Sequence, residues 1–364
     1  MLGRAAAGAL GHDRSPRRDP KRGCSPVYGE VTTALAAVAL AAAPGTVVPA
    51  AAAEPAVQVV DEQQVTDRIV DLTLASPALG GEGRVRLLTP DGWEDREDGE
   101  TWPVLYLLPD GLGDERVWVE DYAIEEWPEL RDVLVVMPGM PLYGFYSDWW
   151  NHGDGGPPAV AAFHLQEVMP VLEEEYGAGG LRAAAGQSQG GFGALSYAAR
   201  NPGMFRAVAS YSGYVHPHQH PRTVEAGMTY LGLDWLALWG DPVGQRHLWE
   251  ANDPYYLAEG LRGVPVYLSS GDGRLGPLDP PGTGPDEEIP GLEDPADPFP
   301  EDVYSPTEML MMEESQTLAG RLREAGAKVT THFYPGTHSP PYWERELRAS
   351  LPALLAALGE TGRF

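Results

Sequence analysis

Between Ile69 and Leu358 short apolar runs alternate with longer amphipathic stretches, and this rhythm sets the expected architecture. Eight runs have the length and β-branched content of strands: Ile69–Ser76, Gly83–Leu88, Pro103–Leu108, Val133–Pro138, Arg182–Ala185, Ala207–Ser212, Val264–Ser269 and Lys328–Tyr334. Four stretches place apolar residues at helical spacing: Ala159–Tyr176, with Phe163, Val168 and Leu172 on one face, then Gly190–Arg200, Pro306–Ala325 and Pro341–Leu358. The first two strands meet with no helix between them, whereas helical patterns separate later ones. An antiparallel opening pair followed by βα alternation predicts an α/β fold with a mostly parallel central sheet of about eight strands and helices on both faces. No internal repeat and no boundary for a second folded domain is visible.

The chain is organised around Leu181–Pro202, where an apolar run stops at Gly186-Gln187-Ser188-Gln189-Gly190 and restarts as a helix of small residues. This is G-x-S-x-G between a strand and a helix, the arrangement that displays a serine hydroxyl above the edge of an α/β-hydrolase sheet. The glycines leave the bend unobstructed, and the amide after the serine, that of Gln189, faces the same point. In a chain with 44 glycines an ordinary turn is the competing reading, and the strand before and helix after the motif count against it.

A serine nucleophile needs a base and a carboxylate that orients the base, in the chain order Ser, acid, His for this fold. His338 lies directly after the last strand and before the final helix, as required. Two carboxylates compete for the third role. Asp272 follows the strand Val264–Ser269, and spacing alone favours it. Glu308 opens the next helix within Ser305-Pro306-Thr307-Glu308, a capping-box sequence with proline at N1, so its side chain has a purely local use in reaching back to the N-cap amide.

Tyr106–Leu112 (YLLPDGL), Phe145–Trp149 (FYSDW), the Ser188 turn, Trp249–Pro254 (WEANDP) and Gly336–Ser339 (GTHS) followed by Tyr342-Trp343 together resemble the secreted esterase family that contains esterase D and the antigen 85 mycolyltransferases, and the latter more closely. The resemblance runs from Val70 to Leu358. It implies a serine esterase or acyltransferase without a cofactor. It moves the acid to Glu308, makes the backbone N–H groups of Gln189 and Leu112 the oxyanion donors, and suggests Asp110 as a contact to acceptor hydroxyls. Trp149, with Trp150 and Tyr146, is expected near the cleft, where such rings can stack on sugars or can equally be core, and Trp149 is taken as the substrate contact. Departures fall around the expected pocket: Gly113 stands where the mycolyltransferases carry arginine after D-G-L, Pro109 is inserted upstream, and Pro340 replaces a tryptophan. Trehalose is therefore in doubt as the acceptor.

Composition narrows the partners. The net charge of −28 argues against nucleic acid or an anionic membrane. Residues 1–53 differ from the rest, with basic residues from Arg14 to Arg22, an Ala-rich apolar run over Val31–Ala43, and Ala51-Ala52-Ala53 before Glu54. They read as a secretion leader cleaved near Ala53, giving a secreted or wall-located protein with no membrane span. Residues 54–67 read as a linker and 68–364 as the folded domain. The single cysteine, Cys24, lies in the leader, so neither disulfides nor cysteine catalysis is expected beyond it. Two segments break the pattern. His216-Pro-His-Gln-His-Pro221 reads as a pocket-lining loop in preference to a metal site, because prolines interleave the histidines and no carboxylate adjoins them. An acidic Pro/Gly-rich insertion at about 272–304 reads as solvated, in preference to a calcium cage.

The expected function is thus a secreted serine esterase or acyltransferase acting on a small-molecule, glycolipid or polysaccharide ester, of unknown oligomeric state. The alternatives are a polysaccharide-directed acetyl or feruloyl esterase and a non-catalytic wall-binding protein on the same fold. The last would be expected to have lost Ser188 or His338, and both are present.

Overall fold

The computed structural model describes residues 56–359, so the leader lies outside the described residues. Among the described residues nine strands form one sheet: β1 (Gln58–Thr66), β2 (Ile69–Ser76), β3 (Gly81–Leu88), β4 (Trp102–Leu108), β5 (Leu134–Pro138), β6 (Ala178–Gln187), β7 (Val208–Tyr211), β8 (Pro265–Gly271) and β9 (Lys328–Tyr334). Their order is β1-β2-β3-β5-β4-β6-β7-β8-β9. The first four positions pair antiparallel, and every pairing from β5 to β9 is parallel.

The helices are α1 (Val117–Tyr122), α2 (Val160–Ala162), α3 (Met169–Glu175), α4 (Gln189–Arg200), α5 (Pro221–Tyr230), α6 (Trp235–Trp239), α7 (Arg246–Asn252), α8 (Pro306–Ala325) and α9 (Pro340–Ala357). A π-helical turn at Phe163–Val168 joins α2 to α3. Strand alternation divides the core between the two faces of the sheet. Val104, Tyr106 and Leu108 of β4 lie on the face covered by α3, α4 and α8, whereas Leu105 and Leu107 lie on the face covered by α1 and α9. The central β6 is covered on both sides, and Ala183, Ala184 and Ala185 allow helices close approach.

The main departure from expectation is β1, which occupies most of the segment read as a linker. As an edge strand exposed on both faces it has no apolar alternation to mark it. Its pairing with β2 and a 2.6 Å hydrogen bond from the Tyr176 hydroxyl to Glu62 Oε2 hold it in place.

Candidate active site

Ser188 follows β6 directly and caps α4, with φ 52° and ψ −124°, a left-handed backbone rare for a residue with a side chain. The Ser188 amide is anchored by donation to Tyr211 O at 2.8 Å. A Cβ on Gly186 would lie 2.1 Å from the Gly190 carbonyl, and one on Gly190 would lie 2.1 Å from Leu108 O. Both clashes are with backbone, so the two glycines of the motif are steric requirements of the bend.

His338 stands between β9 and α9. Its Nε2 is 3.0 Å from Ser188 Oγ, and its Nδ1 is 2.6 Å from Glu308 Oε2. The Trp343 ring meets the imidazole edge-on at 4.8 Å. Glu308 is fully buried, and its second oxygen accepts from Ser212 Oγ at 2.7 Å, Ser270 Oγ at 2.9 Å and the Gly271 amide at 2.5 Å. A buried carboxylate costs several kcal/mol unless its lone pairs are filled, roughly on the scale of losing more than one hydrogen bond, and here each oxygen has a partner. Sequence reasoning did not identify Ser212 or Ser270; both stand at the carboxyl ends of sheet strands beside the candidate serine, and that placement was their only signal.

The capping-box sequence is diverted. Ser305 is the N-cap of α8 and Pro306 opens the helix, yet Ser305 makes no side-chain cap and Glu308 turns to His338. Asp272, the alternative acid, does not reach the imidazole. Asp272 Oδ1 accepts from the Arg274 amide at 3.0 Å and the Gly336 amide at 3.4 Å, while Oδ2 pairs with Arg274 at 3.5 Å. It buttresses the turn below His338.

Gln189 opens α4, so its N–H belongs to the set with no intrahelical acceptor. Leu112 differs: its N–H and that of Gly113 both donate to Asp110 Oδ1 at 2.9 Å. Asp110 Oδ2 accepts from Gln187 Nε2 at 2.9 Å, and Gln187 Oε1 accepts from the Tyr122 hydroxyl at 2.8 Å. The expected acceptor contact is thus held by a buried relay and folded back onto its own loop.

Trp149, expected against substrate, is a core residue, 8 % exposed, with its indole N–H donating to Gly144 O at 3.2 Å. Tyr146 is fully buried and donates to Pro109 O at 2.6 Å. Neither ring offers a face to a sugar; the apolar interior claims both.

The three histidines of the His216–Pro221 segment diverge. His216 Nδ1 pairs with buried Asp253 at 2.8 Å, His218 Nδ1 meets the Tyr256 hydroxyl at 3.0 Å, and His220 Nε2 lies 3.3 Å from Glu313. Nearby Glu314 is fully buried; burial pushes its carboxyl well above the usual range, although His216 N–H donates to its Oε2 at 2.9 Å. Among the described residues no helix is long and apolar enough to cross a membrane.

The chain is 27 % identical over 298 residues to Esterase Rv1288 of Mycobacterium tuberculosis, covering 77 % of this chain and 58 % of that protein. It is also 27 % identical over 305 residues to the diacylglycerol acyltransferase/mycolyltransferase Ag85B of Mycolicibacterium smegmatis, 79 % of this chain and 85 % of that one. The crystal structure of Mycobacterium tuberculosis MPT51 superposes with a TM-score of 0.59 at 22 % identity, covering 78 % of this chain and 96 % of that chain. That likeness shows the fold, an α/β-hydrolase sheet. Residues 76–354 match the family described as "Putative esterase", and the chain belongs to it.

Proposed function

We propose that the protein is an ester-acting acyl-transfer enzyme with Ser188 as nucleophile, His338 as general base and Glu308 as the acid that orients the base. One observation carries this reading: an unbroken hydrogen-bonded line from Ser188 Oγ through the His338 imidazole to a buried, fully satisfied Glu308. Ser188 Oγ attacks the ester carbonyl as His338 Nε2 takes its proton. The tetrahedral oxyanion accepts from the Gln189 N–H, and from the Leu112 N–H once that amide exchanges the Asp110 carboxylate for the oxyanion. The intermediate collapses as the imidazolium returns the proton to the leaving alcohol, leaving an acyl-serine. Water then gives the acid and free enzyme; a sugar or other alcohol gives a new ester by the same steps reversed.

The first 53 residues, basic and then Ala-rich, support export with cleavage near Ala53. The residue after D-G-L is Gly113, whose backbone packs against the Asp110 carboxylate with no cationic side chain in that place, which favours an acceptor other than trehalose. Replacing Ser188 by Ala is expected to lower turnover of p-nitrophenyl acetate by roughly four to six orders of magnitude without loss of folding. Turnover near wild type in that variant overturns the proposed chemistry.

A further inference from the structure

The acidic insertion, expected as a solvated loop, touches the His338 loop directly through Asp279 and reaches it indirectly from Asp286 through Ser305. Asp279 is the closer contact. Its Oδ1 accepts from Thr337 Oγ1, the residue immediately before His338. Its Oδ2 accepts from the Tyr342 hydroxyl at 2.8 Å and the Gly276 amide at 2.7 Å. Tyr342 is fully buried in the first turn of α9, stacks on Tyr334 at 5.1 Å, and is followed by Trp343, whose ring meets the imidazole. On the other flank Asp286 Oδ2 accepts from Ser305 Oγ at 2.5 Å, and that hydroxyl oxygen lies 3.4 Å from the His338 amide.

These contacts matter because the loop between β9 and α9 has little internal support. Residues 335–339 contain one backbone hydrogen bond of their own, from Ser339 N to Thr337 O at 3.1 Å. Asp279 joins the segment before the imidazole to the helix after it, so a single carboxylate sets the spacing between Thr337 and Tyr342 across His338. The insertion therefore has an ordered inner edge, and its acidic outer residues are free to remain solvated.

We propose that Asp279 is a positioning residue for His338, acting through Thr337 and Tyr342, and that the insertion braces the active site from outside. The inference rests on the proposed role of His338 as base. The Asp279 carboxylate is taken up by Thr337, Tyr342 and Gly276 and makes no bond to the imidazole, so its effect is on the placement of the base during proton transfer. A displacement on the order of 1 Å costs about 100-fold in rate. Ground-state ester binding is expected to be unchanged by its loss.

The test compares Asp279→Ala, Asp279→Asn, Thr337→Val and the Asp279→Ala/Thr337→Val pair on p-nitrophenyl acetate, with Ser188→Ala alongside. For Asp279→Ala, kcat is expected to fall about 10- to 100-fold with KM within about twofold of wild type. Thr337→Val is expected to lose part of this, and the double variant to match Asp279→Ala, because both remove one shared bond. Asp279→Asn retains an acceptor for Thr337 and is expected to recover part of kcat. Wild-type kcat in Asp279→Ala, a loss carried by KM, or losses that multiply in the double variant overturn the proposal. If Asp279→Ala does not fold, Asp279→Asn and Thr337→Val decide by the same kcat criterion. An active Ser188→Ala defeats the proposed function itself; an inactive one beside a fully active Asp279→Ala defeats the bracing role alone.

Discussion

Glu308 Oε2 lies 2.6 Å from His338 Nδ1, while its other oxygen accepts the Gly271 amide. The amide fixes what a glutamine could do at position 308. Its carbonyl oxygen must face Gly271 N–H, which turns the NH2 group toward His338 and stabilises the tautomer protonated on Nε2, the atom that accepts the serine proton in the proposed mechanism. Glu308→Gln is therefore expected to lower kcat by about three to four orders of magnitude with the fold retained. Asp272→Asn should stay within about tenfold of wild type, since Asn keeps the acceptor for Arg274 and Gly336. The reverse ranking in a parallel ester assay assigns the acid to Asp272.

His164 lies in the π-helical turn, fully buried, and burial lowers its pKa to about 4. Its Nδ1 accepts from the Tyr197 hydroxyl at 2.9 Å and its Nε2–H donates to Gly139 O at 2.9 Å, so the neutral ring is the one that fits. The unfolded chain binds this proton near pH 6.5 and the folded protein only near 4, so stability is full above 6.5 and falls as pH drops through that window. The loss amounts to about 3 kcal/mol. Urea unfolding at pH 7 and pH 4.5 is expected to show it, and His164→Gln to reduce the difference between the two pH values. An unchanged difference in the variant refutes the assignment.

Glu314 carries the opposite sign. Its folded carboxyl has a raised pKa because burial disfavours the charge, so its contribution is full below the ordinary carboxylate range and is lost as pH rises. Glu314→Gln, which keeps an acceptor for the His216 amide, is expected to raise stability at neutral pH, by a margin that grows from about pH 4.5 upward. Thermal melts of the two proteins at pH 4.5 and 7.5 read this directly. A margin that does not widen with pH counts against it.

What was legible in the sequence follows from what each element buries. Strands covered on both faces, such as β4 and β5, announce themselves as apolar runs; β1 buries almost nothing and is visible only through its pairing. Ser188 and His338 stand out as candidates because the sharp turn and the loop after the last strand carry local signatures. Glu308 is harder to read, because Ser305–Glu308 is written in the grammar of a helix cap, and it takes tertiary contacts to withdraw Glu308 to Ser212, Ser270 and His338, and Ser305 to Asp286. Trp149 shows the converse error. An aromatic cluster reads equally as cleft or core, and here packing decided for the core.

The left-handed backbone at Ser188 limits which hydroxyl can stand there. Threonine offers the same oxygen, but its β-branch makes φ near 50° far more costly than it is for serine. The position is narrower than its chemistry: of the two aliphatic alcohols among the amino acids, geometry admits one.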